Sequence, residues 1–228
     1  MLSQTMVTRN SLRQPAERVA RPAANVISFG SSIDMMGAQM PFARNAEIYG
    51  ENEPADYLYK VVSGAVRTYK VLNDGRRQIG SFYLPGDMFG LEIGDDHTFS
   101  AEAVIDCKVL VIKRSALVAL AGRDSGTTRH LWTLAATELQ RAQDHIMLLI
   151  KTAQERVAGF LMEMSSRNFG ASEVELPMSR QDIADFLGLT IETVSRTFSQ
   201  FQHEGLIALP TTRKVLLRDR AALEAMVD

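Results

Sequence analysis

The sequence predicts an α+β protein: an N-terminal antiparallel β-roll of jelly-roll-like character, a long dimerisation helix and a C-terminal winged helix-turn-helix. Three observations support this fold class. Short strand-like segments separated by turn residues fill residues 45–112, an apolar heptad repeat follows, and two short helical patterns precede a pair of strands. We therefore divide the chain into four parts: an N-terminal arm (1–28), the roll (29–126), the dimerisation helix (127–152) and the winged-helix domain (153–228).

Composition and charge exclude several classes of protein. The 228 residues are enough for two modest domains, and the hydrophobic fraction of 46% is enough for real cores. The formal net charge of −2 means that nucleic-acid binding would need a local basic patch. The single cysteine excludes an internal disulfide framework and fits a reducing cytoplasm. Because no apolar run reaches the length of a membrane span, we expect a cytoplasmic protein with no membrane partner.

The first 28 residues carry four arginines against one acid and are interrupted by prolines. This composition predicts a flexible N-terminal arm, since chain termini are commonly poorly ordered. A basic arm that contacts DNA or a partner is the alternative.

The predicted roll consists of short strands with turns between them. Asn73-Asp74-Gly75 is typical of a hairpin turn, and Leu84-Pro85-Gly86-Asp87 indicates another. Such regular punctuation favours an antiparallel sandwich or barrel. We expect strands over residues 57–71 (interrupted at Ser63-Gly64), 78–84 and 104–112, and a short helix over 115–121.

A long helix is predicted over residues 127–151, because apolar residues recur there in alternating steps of three and four. The seam consists of Trp132, Ala135, Leu139, Ala142, Ile146 and Leu149, and continues to Ala153. A second apolar face consists of Leu131, Leu134, Met147, Leu148 and Ile150. A helix with two apolar faces can cover its own domain and also meet a partner, so we expect a homodimer.

Residues 179–196 have the pattern of two short helices joined by a turn. Ser179 can cap the first helix with Asp182 in capping-box spacing, Gly188 tolerates the left-handed turn, and Thr190 can cap the second. We expect another helix over residues 154–164 before this motif and a short strand over 174–176. The second helix is expected to end near Gly205, and strands over 206–209 and 214–217 form the wing.

The start of the second helix is where such a motif meets base edges in the major groove. Four residues there face outward and are predicted to contact bases: Ile191, Glu192, Ser195 and Arg196. Glu can accept from a cytosine amino group, and Arg can bridge the two acceptors of guanine. A solvated i,i+4 ion pair on an ordinary surface helix is the alternative for Glu192 and Arg196.

The order of parts resembles the CRP/FNR superfamily of bacterial transcription regulators from about residue 40 to the end. Residues 84–90 are similar to the turn between roll strands, and Glu192-Thr193-Val194-Ser195-Arg196 is similar to the recognition-helix motif, closest to the FixK branch. The resemblance implies an activator of microaerobic, anaerobic or nitrogen-fixation genes, a TTGAT-N4-ATCAA-like palindromic operator and RNA polymerase as a partner. It also implies phosphate contacts by Arg180, Gln181, Thr190 and Thr193, with Arg213 and Lys214 as weaker candidates in the wing.

The departures from the family pattern concern the effector. Where cyclic-AMP-binding members have a Gly-Glu-Leu turn and an Arg-Ser-Ala run, this chain has Gly90-Leu91-Glu92 and Phe99-Ser100-Ala101. Phe99 therefore stands where a cation would hold the phosphate, and a buried phosphate without a cation is costly. An iron–sulfur cluster typically requires about four thiolate ligands, and the chain has one cysteine. We therefore expect no cofactor and no metal.

On the long helix, Asp144-His145 is expected to be a surface element. Other interpretations of the sequence concern metal binding, redox sensing, catalysis and ligand sensing. The loop residues Glu92, Asp95, Asp96 and His97 offer oxygen and nitrogen ligands but match no ligand spacing, and Cys107 fits a buried structural thiol better than a redox sensor. An enzyme is not expected, because no Ser/His/Asp, Cys/His or metal constellation is present. The rival function is a small-molecule or redox sensor in which a ligand in the roll controls DNA binding.

Overall fold

The computed structural model of this chain describes residues 35–168 and 170–227. The predicted N-terminal arm, residues 1–28, lies outside this range. Eight strands form the N-terminal part, and they are β1 (Ala38–Phe42), β2 (Glu47–Tyr49), β3 (Tyr57–Ser63), β4 (Val66–Val71), β5 (Arg77–Tyr83), β6 (Met88–Phe89), β7 (Ser100–Ala103) and β8 (Cys107–Lys113).

The strands form two antiparallel sheets, which confirms the predicted roll. One sheet has the order β1-β8-β3-β6 and the other the order β2-β7-β4-β5. The chain therefore changes sheets between β3 and β4. Gly64 makes this crossing with φ +85, and a Cβ there would lie 2.5 Å from the Asp106 carbonyl oxygen. Only glycine fits such a positive-φ position at so close a backbone approach.

The strand predicted over residues 104–112 is wrong at its start. Val104, Ile105 and Asp106 form a bend, because β7 and β8 belong to different sheets and the chain must cross between them. The Asp106 carboxylate accepts from the Arg44 backbone N–H at 2.8 Å, which holds the bend. The short apolar run alone could not reveal this crossing, since its residues are suited to a continuous strand.

Three helices follow the sheets: α1 (Arg114–Ala121), α2 (Ser125–Leu149) and α3 (Ala153–Arg167). The long helix α2 begins and ends earlier than predicted. Asp124 fixes its start by accepting from the backbone N–H groups of Gly126 and Thr127 at 3.2 and 2.8 Å. Thr152 and Glu155 form a capping box that starts α3 directly afterwards.

One face of α2 packs on its own domain. Leu134 and Leu148 are buried, and Leu134 belongs to a cluster with residues of β3, β6, β8 and α1. Met147 and Ile150 were assigned to this same face from the sequence, which is wrong, because both are exposed. They lie toward the exposed side of the helix.

The C-terminal part is a winged helix-turn-helix, as predicted. The elements are β9 (Glu173–Glu175), α4 (Arg180–Leu187), α5 (Ile191–His203), β10 (Ile207–Ala208), β11 (Lys214–Leu217) and α6 (Arg220–Val227). The strands form a three-stranded antiparallel sheet in the order β10-β11-β9. The final helix, α6, was not predicted, and Leu223 buries it against α3.

The roll and the winged helix share one apolar core. Ile79 and Phe82 of β5 belong to the same buried cluster as Phe160 of α3 and Phe186 of α4. The Phe82 and Phe186 rings are 5.3 Å apart. The roll therefore packs directly against the helix-turn-helix.

Across residues 35–168 and 170–227, no helix has the length and apolarity that crossing a membrane requires.

Candidate nucleic-acid interface

The first helix of the motif, α4, begins at a complete capping box. The Ser179 hydroxyl accepts from the Asp182 backbone N–H at 3.1 Å, and the Asp182 carboxylate accepts from the Ser179 backbone N–H at 3.0 Å. The helix ends at Gly188, which has the left-handed φ of +62. Sequence and structure agree here because both cap positions depend on local chemistry alone.

The second helix, α5, is placed by that turn and by its own cap. The Thr190 hydroxyl accepts from the Thr193 backbone N–H at 3.2 Å. Val194 and Phe198 are fully buried, so they fix which face of α5 points into the domain. The opposite face is left to solvent.

The four predicted base-contacting residues lie together on that exposed face. Glu192, Ser195 and Arg196 are exposed, and Ile191 is 37% exposed beside them. Within the part of the chain that the structure describes, Arg196 makes no direct ion pair. Hydrogen bonds from the Glu192 backbone and the Thr190 hydroxyl, together with the charge of Arg196, hold the pKa of Glu192 below its usual range, so the two charges still interact. The Arg196 guanidinium lies one helical turn after Glu192, so both can enter the same groove.

Arg180, a predicted phosphate contact, has no acidic partner among the described residues either. Its guanidinium lies 3.4 Å from the centre of the Phe198 ring, an arrangement that favours a cation. Burial lowers the pKa of Arg180 to about 10. A partly desolvated cation with no carboxylate beside it suits an anionic ligand such as a phosphate.

The other predicted phosphate contacts already take part in local bonds. Gln181 donates to the Asp185 carboxylate at 2.6 Å, and the Thr190 and Thr193 hydroxyls lie 3.1 Å apart. In the wing, Lys214 pairs with Glu173 at 3.0 Å. A phosphate contact by any of these side chains would therefore need a hydroxyl proton that is not already donated, or an exchange of partner.

The predicted dimer seam is largely open in the single chain. Trp132 is 76% exposed, Leu139 is 61% exposed and Ile146 is 63% exposed. Ala135 and Ala142 are also exposed, while Leu149 is half-buried. A stripe of large apolar residues along one helix is costly to leave in water, and it is typical of an interaction surface.

A charged contact between the roll and α4 was missed from the sequence. Asp182 accepts from Arg67 at 3.1 Å and from Arg77 at 2.6 Å, and Asp185 accepts from Arg77 at 2.8 Å. Burial raises the pKa of Asp182, but the hydrogen bonds from Ser179 and the charges of both arginines outweigh it and hold that pKa below its usual range. The local pattern identified Asp182 only as a cap, since its other partners are more than 100 residues away in sequence.

His145 was interpreted as a surface element, which is wrong. Its ring stacks on the Phe186 ring with the centroids 4.0 Å apart, and its Nε2 lies 2.8 Å from the Phe186 carbonyl oxygen. That distance requires the proton to be on Nε2 so that it can donate. Burial lowers the pKa of His145, so the neutral ring is favoured. His145 therefore joins α2 to α4.

A cavity of 380 Å³ lies between the roll and helices α2, α3 and α4. Leu91 and Phe99 line it, together with Arg141 of α2. The Arg141 guanidinium is already neutralised by Asp87 at 3.0 Å and by Glu138 at 2.8 Å. Phe99 itself contacts Lys70, whose Nζ lies 5.3 Å from the ring centre. The cavity thus has the apolar Phe99 where a phosphate ligand would need a cation, and the guanidinium of Arg141 is already paired within the chain.

The loop before β7 is ordered by its own hydrogen bonds. Glu92 accepts from the Thr98 backbone and hydroxyl, and Arg114 donates to the Gly94 carbonyl at 2.7 Å. Within residues 35–168 and 170–227, no group of three His, Cys, Asp or Glu side chains could hold a metal. Cys107 is buried at the start of β8, and burial raises the pKa of its thiol to about 11, so it carries little thiolate.

These features define a class of protein: an antiparallel roll joined by a long helix to a winged helix whose recognition face is open. A family model described as a cyclic nucleotide-binding domain matches residues 39–124, and one described as a Crp-like helix-turn-helix domain matches residues 155–226.

Relatives and solved structures agree with this class. The chain is 51% identical over 217 residues to the nitrogen fixation regulation protein FixK of Azorhizobium caulinodans, which covers 92% of this chain and 85% of that protein. It is 35% identical over 175 residues to the transcriptional activator protein anr of Pseudomonas aeruginosa, covering 74% and 72%. The structure of FixK2 from Bradyrhizobium japonicum matches with a TM-score of 0.81 and 51% identity over 84% of this chain and 98% of that one. This chain belongs to the CRP/FNR family of transcription regulators, in its FixK branch.

Proposed function

We propose that this chain is a homodimeric transcription activator that binds a TTGAT-N4-ATCAA-like palindrome without a cyclic-nucleotide effector. The observation that supports this best is the open face of α5, with the exposed guanidinium of Arg196 beside Glu192. Arg196 would bridge the guanine acceptors, and Glu192 would accept from the paired cytosine. Arg180, stacked on Phe198 without an acid, would contact a phosphate and position the helix.

The exposed stripe on α2 supports the dimer. Its large side chains recur at heptad spacing from Trp132 to Ile146, which matches the seam of a two-stranded coiled coil. Two copies joined there would present two recognition helices to successive major grooves about 34 Å apart. A palindromic operator is the expected counterpart of that two-fold symmetry.

The absence of a cyclic-nucleotide effector is proposed from the cavity. Arg141 is held by two carboxylates, and Phe99 offers no charge to a phosphate. Taking a phosphate into this cavity would require breaking an existing ion pair, and burying an unpaired charge is costly. The names of the relatives refer to nitrogen fixation regulation and to transcription activation, so we propose nitrogen-fixation genes as targets. The surfaces of the roll would contact RNA polymerase.

The second candidate is a sensor whose ligand in the roll controls DNA binding. The 380 Å³ cavity is the observation that favours it, since small-molecule sites are concave and largely apolar. A redox version based on Cys107 is disfavoured, because the thiol is buried and its pKa is raised to about 11.

Selection of bound sequences from random DNA by the purified protein distinguishes the two candidates. We expect enrichment of a TTGAT-N4-ATCAA-like palindrome with no added ligand. Enrichment that requires a cell extract or an added small molecule would favour the sensor. No enrichment under either condition would contradict both candidates.

A further inference from the structure

The first turn of α4 is attached to the roll by charge. Arg67 of β4 and Arg77 of β5 both donate to Oδ1 of Asp182, at 3.1 and 2.6 Å. Arg77 also donates to Asp185 at 2.8 Å. The side chains of Arg67 and Asp182 are only 7% and 6% exposed, so this pair is almost fully withdrawn from solvent. Such buried pairs have a narrow range of acceptable geometry, because their hydrogen bonds must replace water.

A second attachment lies one turn further along α4. The Phe186 ring packs on Phe82 of β5 and stacks on His145 of α2. The Phe186 carbonyl oxygen accepts from Gln78 at 3.3 Å and from His145 at 2.8 Å. Two attachments at different points along a short helix restrict its rotation as well as its distance from the roll.

These attachments do not cover the recognition face. Glu192, Ser195 and Arg196 remain exposed while α4 is docked on the roll. Arg180 of α4 lies over the Phe198 ring of α5, so a change in the orientation of α4 would also change the orientation of the recognition helix α5. The docked arrangement is therefore compatible with DNA binding and is not an occluded state.

We propose that Arg67, Arg77 and Asp182 are positioning residues that fix each recognition helix relative to the dimerisation helix and thereby determine which half-site spacing the dimer accepts. This inference rests on the proposed function, since it requires a dimer and a palindrome. None of the three residues is assigned a contact with a base or a phosphate. Their effect acts through the orientation of α4 and α5.

The physical link between orientation and spacing comes from the geometry of the duplex. Each added base pair moves a half-site by about 3.4 Å and turns it by roughly 35°. Two recognition helices held rigidly can match one spacer and not its neighbours. Helices that are free to turn about the α3–α4 connection can follow a displaced half-site at a smaller loss of affinity.

The test is a spacer series with matched variants. Arg77→Met removes both ion pairs from β5 to α4 and leaves the hydrogen bond from Gln78 in place, and the Arg77 side chain is 26% exposed, so the roll can tolerate the change. Arg76→Met is the matched control, because Arg76 is the adjacent arginine and its one ion-pair partner among the described residues is Asp74 of its own turn. Each protein is titrated against TTGAT and ATCAA half-sites separated by three to six base pairs, and against a single half-site, with no ligand added.

The expected results concern the shape of the spacer profile. Wild type and Arg76→Met should prefer N4 over N3 and N5 by at least about tenfold, which corresponds to about 1.4 kcal/mol. In Arg77→Met that preference should shrink to about threefold or less, while single half-site binding stays within about twofold of wild type. Arg77→Lys, which keeps a charge, should recover part of the preference.

A destabilised fold would give a different pattern. Loss of active protein lowers binding to all duplexes equally and leaves the preference for N4 unchanged, which would overturn the inference. If Arg77→Met does not fold, Asp185→Asn takes its place, because it weakens the same attachment from the α4 side and keeps the capping box. If wild type itself shows no spacer preference, the result contradicts the proposed palindrome, and the inference that depends on the palindrome is wrong as well.

Discussion

The two helices of the helix-turn-helix use their charged residues in opposite ways. On α4, Asp182 and Asp185 are paired with arginines of the roll of the same chain and also accept from neighbours on α4 and at its cap. On α5, Arg196 has no ion-pair partner within the described residues, and Glu192 is fully exposed beside it. Charges that are paired with distant residues thus mark a contact made inside the chain, whereas the exposed charges of α5 lie on a surface that the chain itself leaves open.

The same contrast separates the two faces of α2. Leu134 and Leu148 are buried against the chain's own domains, while Leu139 and Ile146 are more than half exposed. Exposed apolar residues at heptad spacing leave surface for a second copy. Both open surfaces, the stripe on α2 and the face of α5, lie on helices whose other side is well packed, so the proposed partners would meet rigid elements.

The largest expected effect is on the open face of α5. Arg196→Ala should weaken operator binding by roughly 2–6 kcal/mol, because a bidentate contact to guanine is worth roughly 1–3 kcal/mol and the dimer makes it twice. Binding to a scrambled duplex should fall much less, since phosphate contacts supply that affinity. Arg180→Ala should weaken both duplexes in parallel. Titration at one fixed salt measures this, and an equal loss on both duplexes for Arg196→Ala would make Arg196 a phosphate contact.

The next effect concerns the open face of α2. Ile146→Asp would place two like charges at the dimer seam, and an unpaired buried charge costs on the order of 3 kcal/mol or more. Sedimentation should therefore show a monomer at micromolar concentration. Thr133→Asp is the control, because Thr133 is exposed on α2 outside the seam, and it should remain dimeric. A fully dimeric Ile146→Asp protein would show that the stripe is not the interface.

A smaller effect, on the pH dependence of stability, is expected inside the roll, away from both open surfaces. His97 is buried with its ring 3.6 Å from that of Tyr49, and burial lowers its pKa despite the nearby Glu92. Because the unfolded chain then binds a proton more readily, stability should fall as pH drops through about 6.5 toward the lower folded-state pKa. His130 and His145 contribute in the same direction, since their pKa values are lowered as well.

His97→Phe isolates the contribution of this one ring. The variant keeps an aromatic ring beside Tyr49 but cannot be protonated. Its unfolding free energy should therefore fall less than that of wild type between pH 7.5 and 5.5, by at most about 1.4 kcal/mol, which is the value of one pKa unit. Thermal or urea unfolding at several pH values measures the difference. Parallel pH profiles for the two proteins would show that His97 does not titrate in this range.

The smallest expected effect is that of cyclic AMP, which should be none. Arg141 is already neutralised in the cavity, and Phe99 supplies no charge. Calorimetry at millimolar nucleotide should show no saturable heat, and operator affinity should stay unchanged. A saturable heat, or a tenfold gain in operator affinity, would contradict the ligand-independent account.

The parts of this molecule that could be predicted from the sequence are those with local causes. The caps at Ser179 and Thr190 and the turn at Gly188 depend on neighbouring residues, and the structure has them as predicted. The heptad stripe on α2 is likewise periodic, although the sequence could not tell that Met147 belongs with the exposed residues.

The parts that could not be predicted depend on contacts between distant segments. The bend at residues 104–106 exists because β7 and β8 lie in different sheets, which no local pattern records. His145 was placed on the surface because its partner, Phe186, is 41 residues away. The ion pairs of Arg67 and Arg77 with Asp182 span more than 100 residues, so the attachment of the helix-turn-helix to the roll became apparent only in three dimensions.

Methylation protection of the guanines in a TTGAT-N4-ATCAA duplex tests the reading of DNA by α5 most directly, because the N7 atom that the reagent attacks is one of the two acceptors that Arg196 would bridge. With wild-type protein and no added ligand, we expect the guanine of TTGAT on each strand to be protected, in two symmetric patches about one helical turn apart. Arg196→Ala at a concentration that saturates the duplex should leave both guanines reactive. Guanines that stay reactive under saturating wild-type protein, or protection that persists in Arg196→Ala, would contradict the assignment of Arg196 as the residue that reads this base.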